Sequence, residues 1–347
     1  MKRGFVGLLA AGIVSSGYVV ASENEDLFGY TDGAEVVEFS GQRQQIDTIS
    51  GVVYSQVIGT RAVRQLEMSL MIPRNDKLKP AIVYYPGGGF FSADHEKFTE
   101  MRTALANAGY VVAAAQYRVV PDKFPALVQD GKAAIRYLRA HAEQYGIDPE
   151  RIAVLGDSAG GYMAQMMAMM SGEAEAGKHE FDAGDFLNVS SDVQAAVSLY
   201  GISNLLNIGA GHSEAIQDVH DSKAVTEALL VNGMAFGTYP GASIGSNEEK
   251  ALHASPMGHL KGNKPALLLM HGSSDNLVSP IQSAQLFEAL KERGQDVDYL
   301  LVKGAAHGDL VWYQQPVVDT VVKWFKENLG EPKAAAGKAS DSANDHL

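Results

Sequence analysis

The sequence predicts an α/β fold with a mostly parallel central sheet and helices on both faces. Two observations carry this. Short apolar runs stand without alternation, as strands buried on both faces do, and they alternate along the chain with longer segments of helical periodicity. The run 81–85 (Ala-Ile-Val-Tyr-Tyr) is the clearest of them, stopped by Pro86-Gly87-Gly88-Gly89.

The remaining elements follow in order. Residues 51–72 alternate Val, Ile or Leu with polar side chains, which predicts two half-buried antiparallel strands ahead of the parallel set. After the 81–85 strand come a helix near 95–108, an extended apolar stretch at 110–117, and a long helix over 126–145. A strand at 151–155 then enters Gly156-Asp157-Ser158-Ala159-Gly160 and a helix leaves it through Met163 and Met170. Strands are predicted at 193–200, 266–270 and 297–302, with helices near 281–293 and 317–329. Two Gly-containing stretches, 172–191 and 204–260, break the alternation. Insertions in a parallel sheet collect at the carboxyl ends of strands, beside the ligand crevice, so 204–260 is read as a lid in preference to a peripheral decoration.

Composition narrows the function. The 347 residues are 46% hydrophobic, enough for a sizeable core, and 41 acidic against 28 basic side chains give a net charge of −13. No cluster of Lys and Arg suggests a nucleic-acid partner. Cysteine is absent, which excludes disulfides, thiolate nucleophiles, thiolate zinc sites and Fe–S clusters. The histidines form no metal-ligand pattern, and no metal or organic cofactor is expected.

The N-terminus begins Met1-Lys2-Arg3, residues 5–20 carry no charge, and small residues precede Glu23. That pattern predicts a secretory signal over 1–21, with Val19 and Ala21 at the −3 and −1 positions, and hence an exported, periplasmic or secreted protein. The apolar stretch falls short of the ~20 residues of a membrane-spanning helix, and no later run reaches it. Residues 331–347 are rich in Ala, Lys, Asp and Ser and read as a flexible tail, leaving one domain over 22–330. The sequence assigns no oligomeric state.

Gly156-Asp157-Ser158-Ala159-Gly160 has the form G-x-S-x-G between a strand and a helix, the setting in which a serine is held exposed at the tip of a tight turn. Asp157 is read as holding that elbow. A serine hydroxyl needs a base, and the base an orienting acid. The strand 267–270 runs into His271-Gly272-Ser273-Ser274-Asp275, and the last strand into Lys303-Gly304-Ala305-Ala306-His307. Ser158, Asp275 and His307 thus follow in the order serine, acid, base, each just beyond a strand. Asp309 is a rival acid, poorly placed two residues from His307; His271 is a rival base, read as structural. Gly88 and Gly89, with the N–H of Ala159, are candidate oxyanion donors, the alternative being a plain turn after a strand.

Together these motifs resemble the α/β-hydrolase superfamily, and within it the hormone-sensitive-lipase-like and feruloyl-esterase-like carboxylesterases. The similar segments are 82–90, 116–126 (with Tyr117-Arg118 and Phe124-Pro125-Ala126), 130–162, Ser255-Pro256 and 265–307, with Gly146-Ile147-Asp148-Pro149-Glu150-Arg151-Ile152 ahead of the elbow. The resemblance implies the α/β-hydrolase fold with a small lid insertion. It also implies Ser158 as nucleophile, His307 as general base and then acid, Asp275 as its orienter, and Gly88, Gly89 and Ala159 as oxyanion donors. The chain departs from the family at Pro86, where a histidine usually precedes the glycines, so the loop is held differently. The expected function is hydrolysis of small neutral esters, with short acyl groups or acylated sugars, through an acyl-enzyme. An amide or peptide hydrolase on the same scaffold, and a non-catalytic binding protein, remain as alternatives.

Overall fold

The computed structural model describes residues 27–41, 44–172 and 180–334. The expected signal at 1–21 and most of the expected tail lie outside these. The chain divides into two units, 1–43 and 44–347. In the first, the described residues form turns closed by the N–H groups of Tyr30 and Ala34 on the carbonyls of Leu27 and Thr31.

The second unit carries nine strands and nine helices among its described residues. In chain order they are β1 (Ile46–Ile58), β2 (Val63–Pro73), β3 (Lys77–Tyr85), α1 (Thr99–Asn107), β4 (Val111–Ala115), α2 (Ala126–Ala140), α3 (Ala142–Tyr145), β5 (Ile147–Asp157), α4 (Ala159–Met170), β6 (Ala195–Leu199), α5 (Glu214–His220), α6 (Thr226–Asn232), α7 (Glu248–His253), β7 (Ala266–Gly272), α8 (Ile281–Lys291), β8 (Val297–Val302), α9 (Gln315–Asn328) and β9 (Lys333–Ala334). The sheet order is β1-β2-β4-β3-β5-β6-β7-β8. β1, β2 and β4 pair antiparallel, and from β4 to β8 every pair is parallel.

The period of two in the strands sorts their side chains into two cores. Ile82 and Tyr84 of β3, Val112 and Ala114 of β4, and Leu155 of β5 face one side with Met101 and Leu105 of α1 and Val321, Trp324 and Phe325 of α9. Ala81, Val83 and Tyr85, with Val111, Ala113 and Val154, face the other with Leu138 of α2, Met163 and Met167 of α4, and Leu286 of α8. α4 has no charged residue and is buried on nearly every side, as its composition requires.

Three boundaries differ from the sequence reading. The helix expected from 95 starts at Thr99, because Phe98 turns into the core with φ 58 against Tyr84 and Tyr313. The long helix over 126–145 is broken at His141, giving α2 and α3. The ordered region runs past 330: β9 pairs with Lys77 and Leu78, and the carbonyl of Glu331 accepts a hydrogen bond from Arg151, which ties 331–334 to the sheet.

The 204–260 stretch contributes Leu230, Val231, Ile244 and Ala251 to the larger core. Among its exposed apolar residues, Met234, Phe236 and Tyr239 lie between α6 and α7.

Candidate active site

β5 delivers Ser158 at φ 55 and ψ −119, a backbone conformation unusual for a residue with a side chain. The flanking glycines explain how this turn closes. A Cβ on Gly156 would strike the carbonyl of Gly160, and one on Gly160 would strike that of Tyr85. The Ser158 N–H donates to Leu199 O at 2.9 Å, tying the turn to β6, and the side chain is left half-buried at the start of α4.

Asp275 follows β7 and His307 follows β8. His307 Nδ1 lies 2.7 Å from Asp275 Oδ2, and its Nε2 lies 2.8 Å from Ser158 Oγ. A carboxylate only accepts, so Nδ1 carries the ring proton and Nε2 presents its lone pair to the serine hydroxyl. The Tyr200 and His307 rings pack edge to face with centroids 4.8 Å apart, and Trp312 Nε1–H donates to the Ala306 carbonyl at 2.8 Å, fixing the loop. Asp309 is turned away from the ring: its carboxylate accepts from the N–H groups of Ala306 and Val311 at 2.7 and 2.9 Å.

Asp275 is 1% exposed, and its second oxygen accepts from the N–H groups of Leu277 and Val278. His271 Nε2 lies 3.3 Å from Asp275 Oδ2 and 3.0 Å from Val278 O, while its Nδ1 meets Ser283 Oγ at 2.8 Å. Both neighbours of Nε2 are acceptors, so that nitrogen is protonated and the Ser283 hydroxyl donates to Nδ1. Burial pushes the Asp275 carboxyl up, but hydrogen bonds from His271 and His307 outweigh it and hold the group well below the usual carboxylate range. The sequence reading of His271 as structural missed this contact with Asp275. The spacing His271 to Asp275 across a strand end was its one visible signal.

The glycine loop is fastened at two points, Pro86 and Gly87. Tyr117 Oη donates to Pro86 O at 2.5 Å, a contact that holds the position where a histidine was expected. The Gly87 N–H and Tyr84 Oη both donate to Asp157 Oδ1, at 2.9 and 2.7 Å, and Lys97 Nζ lies 3.1 Å from Oδ2. Asp157 is buried and holds the elbow to the loop. Among the described residues the N–H groups of Gly88, Gly89 and Ala159 donate to no protein acceptor. Burial pushes the hydroxyls of Tyr84 and Tyr200 far above their usual range, with Asp157 adding to it, so both remain protonated donors.

A cavity of about 270 Å³ lies over Ser158, lined by Gly87, Gly88, Gly89, Lys97, Tyr200, Leu277, His307 and Tyr313. No residue of 204–260 is among its lining residues. Lys97, Tyr200, Leu277 and Tyr313 carried no motif and were not singled out from the sequence. Among the described residues no three His, Cys, Asp or Glu side chains are grouped as metal ligands.

Comparison with known proteins places the chain. It is 27% identical over 210 residues to the probable carboxylic ester hydrolase LipM of Mycobacterium tuberculosis, covering 60% of this chain and 44% of that protein. The chain spans about half the length of the curated relatives it matches. It superposes on a truncated carbohydrate esterase from gut microbiota with a TM-score of 0.69 at 21% identity, covering 84% of this chain and 99% of the other. The butyrate-bound esterase Est2 of Thermogutta terrifontis gives a TM-score of 0.61 at 25% identity, covering 84% and 96%. A family model, BD-FAE, matches residues 68–290, more than half of the chain and a range that holds Ser158 and Asp275. The strand order, the elbow and these likenesses agree: the fold is that of the α/β-hydrolases, and the chain belongs to the BD-FAE family.

Proposed function

We propose that this protein is a serine carboxylesterase that cleaves small neutral esters, with Ser158 as nucleophile, His307 as base and then acid, and Asp275 as orienter. The observation that carries the reading is the unbroken chain Ser158 Oγ–His307 Nε2 and His307 Nδ1–Asp275 Oδ2, at 2.8 and 2.7 Å, at the floor of a cavity.

In this mechanism Ser158 Oγ attacks the ester carbonyl carbon and its proton passes to His307 Nε2. Negative charge develops on the former carbonyl oxygen, where the N–H groups of Gly88, Gly89 and Ala159 receive it; each such donor is worth ~2.7–4 kcal/mol in the transition state. The C–O bond to the alcohol breaks as His307 returns the proton to the leaving oxygen. Water, deprotonated by His307, then attacks the acyl-serine and releases the acid. Asp275 stays ionised throughout and stabilises the imidazolium.

Three features support small, uncharged substrates: the net charge of −13, the modest cavity, and the pairing of its one ammonium, Lys97, with Asp157. The likeness to a carbohydrate esterase and to a butyrate-bound esterase favours short acyl groups and acylated sugars. Export through the segment 1–21 is part of the same proposal, and N-terminal sequencing of the mature protein tests it.

The test is a panel of p-nitrophenyl esters from acetyl to palmitoyl, run on wild type and Ser158→Ala. We expect hydrolysis that favours the short chains and falls ~10⁴–10⁶-fold in the variant. Full activity in Ser158→Ala would overturn the assignment, and turnover of anilides in place of esters would move it to amide hydrolysis.

A further inference from the structure

A second cavity, of about 320 Å³, opens beside the first and has no part in the chemistry described so far. Phe91, Ser92 and Asp94 line it from the loop after β3, Gln116 and Tyr117 from the end of β4, and Arg64 from β2. Its volume is that of a small-molecule site (~300–1,000 Å³).

One backbone turn separates the two cavities. Gly87 to Gly89 line the serine side, and the residues that follow line the other. The N–H groups of Phe91 and Ser92 donate to Gly88 O at 3.0 and 3.1 Å. A Cβ on Gly87 would lie 3.0 Å from Ser158 Cβ, and one on Gly88 would strike the Ser92 carbonyl. Both cavities sit at the carboxyl ends of the neighbouring strands β4, β3 and β5, where the strand order reverses direction around β3. That crevice is where open α/β sheets bind ligands.

The walls are preformed. Tyr117 is held on Pro86 O, and the adjacent Arg118 grips the carboxylate of Asp130 on α2 through Nε and Nη2 at 2.8 Å. Phe90 is buried at 1% with φ 62, which turns the next ring outward, and Phe91 is 53% exposed. Around that ring stand polar groups of both kinds. Arg64 spends one nitrogen on Asp122, Gln116 spends Oε1 on the Glu67 N–H and keeps its amide donors, and Asp94 spends Oδ1 on the Glu96 N–H and keeps Oδ2 as an acceptor. Asp122 neutralises Arg64 and Asp94 adds a carboxylate, so the site disfavours an anion. An aromatic face with donors and acceptors at its edge suits a neutral ring that is apolar on one side and hydroxylated at its rim.

We propose that this cavity binds a neutral sugar ring, the part of an acylated saccharide next to the ester cleaved at Ser158, with Phe91 as the platform. The proposal rests on the esterase reading and names the alcohol portion of its substrate.

The experiment compares acetylated xylotriose with p-nitrophenyl acetate on the full chain, for wild type, Phe91→Ala and Gln116→Ala. We expect Phe91→Ala to lower the ratio of kcat/KM, sugar ester over p-nitrophenyl ester, about tenfold, through KM on the sugar ester, and Gln116→Ala to lower it less. In parallel, Ser158→Ala is titrated calorimetrically with unacetylated xylotriose; we expect saturable binding that adding Phe91→Ala weakens. If both esters are hydrolysed and neither variant changes the ratio, the sugar subsite is overturned and the esterase reading stands. If wild type hydrolyses neither ester, the esterase reading fails, and the titration alone decides: Phe91-dependent binding keeps the sugar site, and no binding removes it.

Discussion

Two buried aspartates support Ser158, one through the backbone and one through His307, and they are held by different kinds of partner. Asp157, one residue before the serine, accepts from the Tyr84 hydroxyl, the Gly87 N–H and the Lys97 ammonium. Burial holds the Tyr84 hydroxyl protonated and the Gly87 N–H does not titrate, so the carboxylate is a fixed knot joining β3, the glycine loop and the elbow. Asp275 commits one oxygen to backbone N–H groups and gives the other to two imidazoles, His307 and His271. The same residue type thus does two jobs. Where its donors are inert it fixes backbone, and where a donor is an imidazole it sets that ring's tautomer and orientation.

The largest expected effect separates them by activity. Asp275→Asn would present an amide N–H to His307 Nδ1, force the other tautomer and leave Nε2 protonated toward Ser158. We expect a fall of ~10⁴-fold in kcat on p-nitrophenyl acetate. The same variant carries a pH signature. The folded Asp275 carboxyl sits below its unfolded value of ~3.9, so its contribution to stability is full above that pH and is lost as pH falls toward the folded value. The difference in unfolding free energy between wild type and Asp275→Asn should hold steady above about pH 5 and shrink below about pH 4. A difference that grows in acid would contradict the assigned partners.

Asp157→Ala tests the other side by stability. It leaves the Tyr84 hydroxyl and the Gly87 N–H without an acceptor in a buried site, at ~1–3 kcal/mol each. A loss of about 2–6 kcal/mol from urea unfolding is expected. An unchanged midpoint would remove Asp157 as the knot.

The smallest effect probes the contact behind the acid. His271→Leu removes the Nε2–H beside Asp275 Oδ2. A hydrogen bond to a charged group is worth ~1.5–3 kcal/mol, so kcat/KM should fall about tenfold to a hundredfold. A fall as deep as that of Asp275→Asn would mean that His271 does more than position the carboxylate.

Much of this was legible in the sequence because its causes are local. An unalternating apolar run is a strand buried on both faces, and the runs at 81–85, 151–155 and 266–270 lie inside β3, β5 and β7. A serine between two glycines at a strand-to-helix junction is a steric statement about one turn. What failed did so where a distant contact overrides the local pattern. Phe98 holds back the start of its segment's helix because Tyr84 and Tyr313 pack on its ring. Nothing near 333 signals a strand, because β9 exists through its pairing with Lys77 and Leu78, far back in the chain.

The candidate site divides in the same way. Order along the chain singled out Ser158, Asp275 and His307, since each follows a strand and all strand ends of a parallel set meet at one edge of the sheet. Only the tertiary structure decided that the Asp275 carboxylate, and not that of Asp309, reaches the ring, across 32 residues, and that His307 meets Ser158 across 149. It likewise decided that Tyr117 steadies Pro86 and that Phe91 faces a cavity. The physical reason is one of range: backbone sterics and hydrophobic period act within a few residues and are written locally, whereas a side-chain hydrogen bond depends on which strands become neighbours, and that is settled only when the sheet closes around its core.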